Sequence, residues 1–156
     1  MTPCIKLLKK MKKEYQLHQY EHDSAFDSYG EEAALKLQTP QERVFKTLVT
    51  LSDKQEFCVG IVPVSSKLSL KAMAKALGFK KVSMAAAKDV EKITGYVLGG
   101  VSPVGQKKRL KTLIDASAKN FETIFVSAGK RGLEVELSPT VLEELLSAKF
   151  ENIKEG

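Results

Sequence analysis

The chain has 156 residues, 43% of them hydrophobic and 28% charged, with a formal net charge of +6. Such proportions exclude a disordered tail, a fibrous repeat and a disulfide-built miniprotein, and they leave room for one globular domain spanning residues 1–156 with its own core. No run approaches the roughly 18–20 apolar residues of a membrane span, so no membrane partner is expected. Cys4 and Cys58 form no Cys-x-x-Cys pair and follow no signal peptide, which points to a reducing cytoplasm.

Thr2 before Pro3 is a helix-opening pair, and Ile5, Leu8 and Met11 form an apolar stripe beside lysines that suit a helix C-terminus. A short strand is predicted from Gln16 to Glu21 and a loop from His22 to Tyr29. Residues Glu31 to Leu37 read as a helix, stopped by Thr39-Pro40. From Arg43 to Leu51 apolar residues alternate as in a strand, with Val44, Lys46, Leu48 and Thr50 on one face and Phe45, Thr47, Val49 and Leu51 on the other.

A turn over Ser52 to Glu56 leads into a second strand, Phe57 to Val64. Ser69 to Leu77 is a helix closed by Gly78, Val82 opens a short strand, and Ala85 to Ile93 is a helix ending at Gly95. Strands are predicted at Leu110 to Ile114, Thr123 to Val126 and Leu133 to Leu137, the last two joined by a hairpin loop from Ala128 to Gly132. Ser138-Pro139 opens a final helix with Leu142, Leu145 and Leu146 inward. The class is α/β or α+β, with a mixed or antiparallel sheet and helices packed outside.

The basic balance favours a polyanionic partner. Lys9, Lys10, Lys12 and Lys13, and Lys107, Lys108, Arg109 and Lys111, are the clusters that would touch one, mainly through its backbone because no aromatic stacking motif accompanies them. His18 and His22 are the only histidines and have no evident third partner, so no metal site is expected. No Gly-x-Ser-x-Gly elbow, phosphate loop or dinucleotide fingerprint is present, and Ser102 precedes a proline without an obvious base.

Three segments remain. Gly95 to Arg109 reads GYVLGGVSPVGQKKR, in which Gly99-Gly100 is either a turn or a place where backbone N–H groups approach a ligand. Lys46 in VFKTL is a lysine among apolar neighbours that must either stretch to solvent or meet an anion. Ser127 lies in VSAGKRG.

With the opening MTPCIKLLK, these segments resemble, nearly end to end, the YbaK/EbsC family of trans-editing aminoacyl-tRNA deacylases, relatives of the editing domain inserted in some prolyl-tRNA synthetases. The resemblance implies a six- or seven-stranded, partly barrel-like sheet. It implies that Lys46 is the key pocket residue, holding the phosphate or ribose at the tRNA 3′ end. Tyr20 matches a pocket tyrosine, and Tyr29 stands where close relatives carry phenylalanine. Ser127 and Gly129 match a loop usually written Ser-Gly-Gly-Lys-Arg-Gly, from which this chain departs at Ala128. Glu136 falls where relatives can have aspartate, and no role is carried onto it.

Gly99, Gly100, Val101 and Ser102 complete the implied substrate-binding set, with backbone N–H groups from Gly99 to Val101 facing the carbonyl oxyanion. No cofactor is implied. The implied partners are Cys-tRNA(Pro) and prolyl-tRNA synthetase, and the implied chemistry is attack of the substrate's own thiol on its ester. Two other outcomes stay open: hydrolysis of another misplaced amino acid such as alanine by water, and a non-catalytic module that binds tRNA or a synthetase.

Overall fold

A computed structural model describes residues 1–26 and 28–156. Helix α1 (Pro3–Lys10) begins where expected. The Thr2 hydroxyl accepts from the Ile5 N–H, and Cys4, Ile5 and Leu8 are buried. Met11 departs from the expected stripe: it caps the helix C-terminus and is 50% exposed. Strand β1 (Gln16–Gln19) stops two residues short of the expected end. Its successor Tyr20 still donates its N–H to the Gly132 carbonyl at 2.9 Å.

Helix α2 (Tyr29–Lys36) starts two residues before its expected beginning because Ser28 is its N-cap, accepting from the Glu31 N–H. Tyr29 is therefore the first helical residue, and of the expected loop from His22 to Tyr29, residue 27 lies outside the described residues. A short 3-10 turn (Gln41–Arg43) precedes β2 (Phe45–Ser52), which pairs antiparallel with β3 (Phe57–Pro63). Helix α3 (Leu70–Leu77) has Ser69 as its N-cap and Gly78 as its left-handed C-cap at φ 80°. Strand β4 (Val82–Met84) and helix α4 (Ala87–Thr94) follow.

Strand β5 (Lys111–Asp115) lies parallel to β3. The hairpin β6 (Ile124–Lys130) and β7 (Leu133–Leu137) leads into α5 (Pro139–Leu146), N-capped by Ser138. Ala128 to Lys130 were expected in the hairpin loop but belong to β6, whose register against β7 shifts between Ser127 and Lys130. A bulge of this kind re-aims side chains without ending the strand.

One strand had no sequence signal. Strand β8 (Lys149–Glu151) pairs parallel with β5, and the segment after it is tied down by the buried Asp115, whose carboxylate accepts from the N–H groups of Ile153 at 2.9 Å and Lys154 at 3.1 Å.

The described residues thus form eight strands in two sheets, ordered β1-β7-β6 and β4-β2-β3-β5-β8. The mixed α+β class stands, while the six- or seven-stranded single sheet is corrected: neither sheet closes into a barrel. A bridge between Val44 and Phe125 is where they touch edge to edge. The main core fills the space between them with Phe45, Val49, Val59, Ile61, Ile114, Ile124, Val126, Val135 and Leu142, backed by Leu8 of α1. Each such side chain contributes roughly 1.5–3 kcal/mol on leaving water. Beneath α3, the other face of the larger sheet packs Cys58, Val62 and Leu113 against Met73. A third cluster, Ala33, Ala34, Val44, Val64 and Phe125, seats α2 across the gap between the sheets.

Candidate functional site

Strand β4 pairs only with Thr50 to Ser52, so the first half of β2 lacks a ladder partner on that side. The bridge to β6 at Val44 closes one end of the opening. Between them lies a cleft of about 410 Å³, lined by five consecutive residues, Val44 and the first four of β2, Phe45 to Leu48. Tyr20, Ser28, Tyr29 and Gly30 form one wall. Leu98, Gly99 and Val101 come from the loop after α4, and Ser127 and Glu134 from the β6–β7 hairpin.

Six of the residues singled out in the sequence therefore meet here: Tyr20, Tyr29, Lys46, Gly99, Val101 and Ser127. Lys46 is half-buried. Loss of solvent holds its ammonium below the ordinary lysine range, Lys67 adds to this, and Glu31 offsets it. Among the described residues it makes no hydrogen bond or ion pair, so its charge is available to an anion. The neighbouring Thr47 hydroxyl is buried without a partner among the described residues.

Gly99 sits at φ 95°, and a Cβ there would fall 2.5 Å from the Tyr29 ring. The missing side chain is thus what lets the ring lie on the backbone. Tyr29 is 40% exposed, with Leu98 at 46% on the same rim. The Ser127 hydroxyl accepts from the Gly129 N–H at 3.1 Å. Tyr20 is pushed up to about 12 by burial and by the carboxyls of Glu134 and Glu32, so its phenol stays protonated.

Three expected residues are not in the lining. Gly100 donates its N–H to the Val97 carbonyl at 2.9 Å, spending it inside the turn, and a Cβ there would press on the Lys130 backbone at 3.0 Å. Its glycine lets the loop after α4 rest on the hairpin. The N–H groups of Gly99 and Val101, by contrast, have no acceptor among the described residues. Ser102 is fully buried, its hydroxyl accepting from the Val104 N–H at 3.1 Å and its carbonyl from the Gln106 side chain at 3.0 Å, which makes it a brace for the loop. Gly129, at φ 103°, faces Tyr96, whose ring would lie 2.5 Å from an added Cβ.

Glu134 was missed. The alternation in Leu133-Glu134-Val135-Glu136-Leu137 reads as apolar inward and carboxylate outward, yet Glu134 is only 7% exposed. Its face of the small sheet is covered by α2 and the start of β2. Burial pushes its carboxyl up to about 8, so it is mostly neutral at pH 7 and can donate a hydrogen bond. Two residues along, Glu136 is different: hydrogen bonds from Thr123 and His18, with Arg43 nearby, hold it below the usual carboxylate range despite partial burial. It is absent from the cleft lining.

The histidines do not share a site. His18 pairs with Glu136 and His22 with Glu32, each at 2.8 Å. Cys4 and Cys58 are free and buried, and loss of solvent raises both thiols, Cys4 to about 11. Neither lines the cleft. No helix among the described residues is long and apolar enough to cross a membrane.

The model of the aminoacyl-tRNA editing domain matches residues 23–145, which include every lining residue except Tyr20. The chain belongs to the aminoacyl-tRNA editing domain family. It is 40% identical over 141 residues to EbsC of Enterococcus faecalis, named as a candidate Cys-tRNA(Pro)/Cys-tRNA(Cys) deacylase, with 90% of this chain and 84% of that protein covered. It is 29% identical over 119 residues to the uncharacterised protein YwhH of Bacillus subtilis, covering 76% and 75%. A solved structure described as a candidate trans-editing enzyme for prolyl tRNA synthetase superposes with a TM-score of 0.85 at 19% identity, over 100% of this chain and 99% of that one. At that identity the agreement is one of fold.

Proposed function

We propose that this member of the editing family is a cytoplasmic trans-acting deacylase that removes cysteine from tRNA(Pro), the cysteine thiol itself cleaving the ester. The observation that carries the reading is the half-buried, unpaired Lys46 in a cleft whose described lining holds donors and hydroxyls but no cysteine or histidine. An editing site of this kind is needed because synthetase pockets discriminate weakly between small side chains of similar volume.

Lys46 would hold the phosphate or ribose of the 3′ end, with Tyr20 and Tyr29 walling the aminoacyl group. The substrate sulfur, as thiolate, bonds to its own carbonyl carbon while the ester C–O bond breaks. The ribose oxygen takes the proton, and a cyclic thioester leaves. A free thiol titrates near pH 8.5, so positive potential from Lys46 raises the thiolate fraction. The N–H groups of Gly99 and Val101 and the neutral carboxyl of Glu134 are available to the developing oxyanion.

Prolyl-tRNA synthetase is the partner that would deliver tRNA(Pro), since backbone contacts alone carry no sequence information. The test is to incubate the protein with tRNA charged with cysteine, alanine or proline and follow the remaining ester. Loss of the cysteine ester alone supports the reading. Loss of alanine transfers the chemistry to water, and survival of all three esters refutes it.

A further inference from the structure

Behind the cleft wall lies a buried ionic cluster that the proposed chemistry does not use. Glu32 of α2 is 0% exposed, yet its carboxylate stays charged. Loss of solvent works against that, and the Asp23 N–H at 2.6 Å, His22 at 2.8 Å and Arg131 at 3.3 Å overcome it. Lys36 approaches the other side of the same carboxylate at 3.5 Å.

Arg131, at the β6–β7 turn, makes two further contacts. It donates to the Phe26 carbonyl at 2.9 Å, and its guanidinium carbon lies over the Tyr29 ring, 3.9 Å from the ring centroid. The ring therefore has one neighbour in the Gly99 backbone and another in Arg131. A partly exposed aromatic at a helix's first position would otherwise sample several rotamers.

We propose that Arg131 is a positioning residue of the cleft: braced by the buried Glu32, its guanidinium holds the Tyr29 ring against Gly99 and so sets how large an aminoacyl side chain the cleft admits. This rests on the reading that the cleft takes the aminoacyl ester. A planar guanidinium stacks on a ring where an ammonium does not, so Arg131→Lys keeps a charge for Glu32 while removing the stack. Tyr29→Phe keeps the ring and with it the stack.

The chain has no tryptophan, so Tyr29→Trp places a single tryptophan on the wall, which can be excited selectively over the remaining tyrosines. Acrylamide quenching of that tryptophan should rise about twofold when Arg131→Lys is added, because the released ring gains solvent contact. With Tyr29 restored, leucyl-tRNA, which has no thiol and can only occupy the cleft, should inhibit cleavage of cysteinyl-tRNA with a Ki about fivefold lower in Arg131→Lys than in the parent chain. Unchanged quenching, or a leucyl-tRNA Ki in Arg131→Lys equal to that of the parent chain, overturns the proposal. If the parent chain cleaves no ester at all, the proposed function falls, and the quenching comparison alone then decides whether Arg131 holds the wall.

Discussion

Replacing Glu134 by glutamine changes one proton and almost no shape, so it isolates the cost of ionising a carboxyl inside the cleft. In the unfolded chain the group titrates near 4.5, and in the folded protein burial moves it to about 8. Between those values the folded state holds a proton that the unfolded state has lost, so stability falls as pH rises. The stabilising contribution is complete below pH 4.5 and is lost progressively up to about pH 8. With about 1.4 kcal/mol for each pH unit inside that window, the penalty grows by roughly 2–3 kcal/mol between pH 6 and pH 9. For a chain of this size, that lowers the melting temperature by roughly 5–10 °C relative to the glutamine variant. The assay is parallel thermal and urea unfolding of the parent chain and Glu134→Gln at pH 6, 7, 8 and 9, followed by circular dichroism. The difference between them should open in favour of glutamine as pH rises. A difference that is flat with pH, or that closes towards pH 9, refutes the assignment of Glu134 as a buried, proton-holding carboxyl.

Lys46→Ala should abolish cysteine ester cleavage and leave the melting temperature close to that of the parent, as measured by turnover on charged tRNA; near-parent turnover removes Lys46 from the site. Cys4→Ala and Cys58→Ala, once shown to fold, should retain kcat, and seryl-tRNA should be cleaved far more slowly than cysteinyl-tRNA, since a hydroxyl is scarcely ionised at neutral pH. Equal rates on the two esters would shift the mechanism to water. Gly129→Ala should cost about 1–3 kcal/mol in urea unfolding, because φ 103° disfavours a Cβ and the Tyr96 ring stands 2.5 Å from where it would lie. Affinity for tRNA should drop steeply with added salt in a filter-binding titration if lysines such as the exposed Lys9, Lys10, Lys107 and Lys108 contact phosphates.

Local chemistry was enough for much of the scaffold. Thr2-Pro3, Ser69 with Gly78, and Ser138-Pro139 carry their helix boundaries in side-chain oxygens, fixed proline φ and a left-handed glycine, all of which act within one turn. The alternation from Phe45 to Leu51 and from Leu133 to Leu137 likewise marks strands without help from distant residues. Lys46 was legible as an anomaly on such a strand, and its family match singled it out.

Strand β8 escaped notice because it is three residues long and becomes a strand through its parallel pairing with β5, distant along the chain, with Asp115 holding the segment that follows. Gly100, Ser102 and Gly129 looked like site residues because small residues serve close packing and ligand approach alike. Only the positions of Lys130, Val104 and Tyr96 distinguish the two uses. The sequence by itself determined the elements, the lysine and the family, since those follow from short-range periodicity and local motifs. The tertiary structure decided that α2 covers a second face of the small sheet, which turns Glu134 from an outward carboxylate into a buried acid of the cleft; a residue's solvent is set by whatever packs over it, and that is not encoded in its neighbours along the chain.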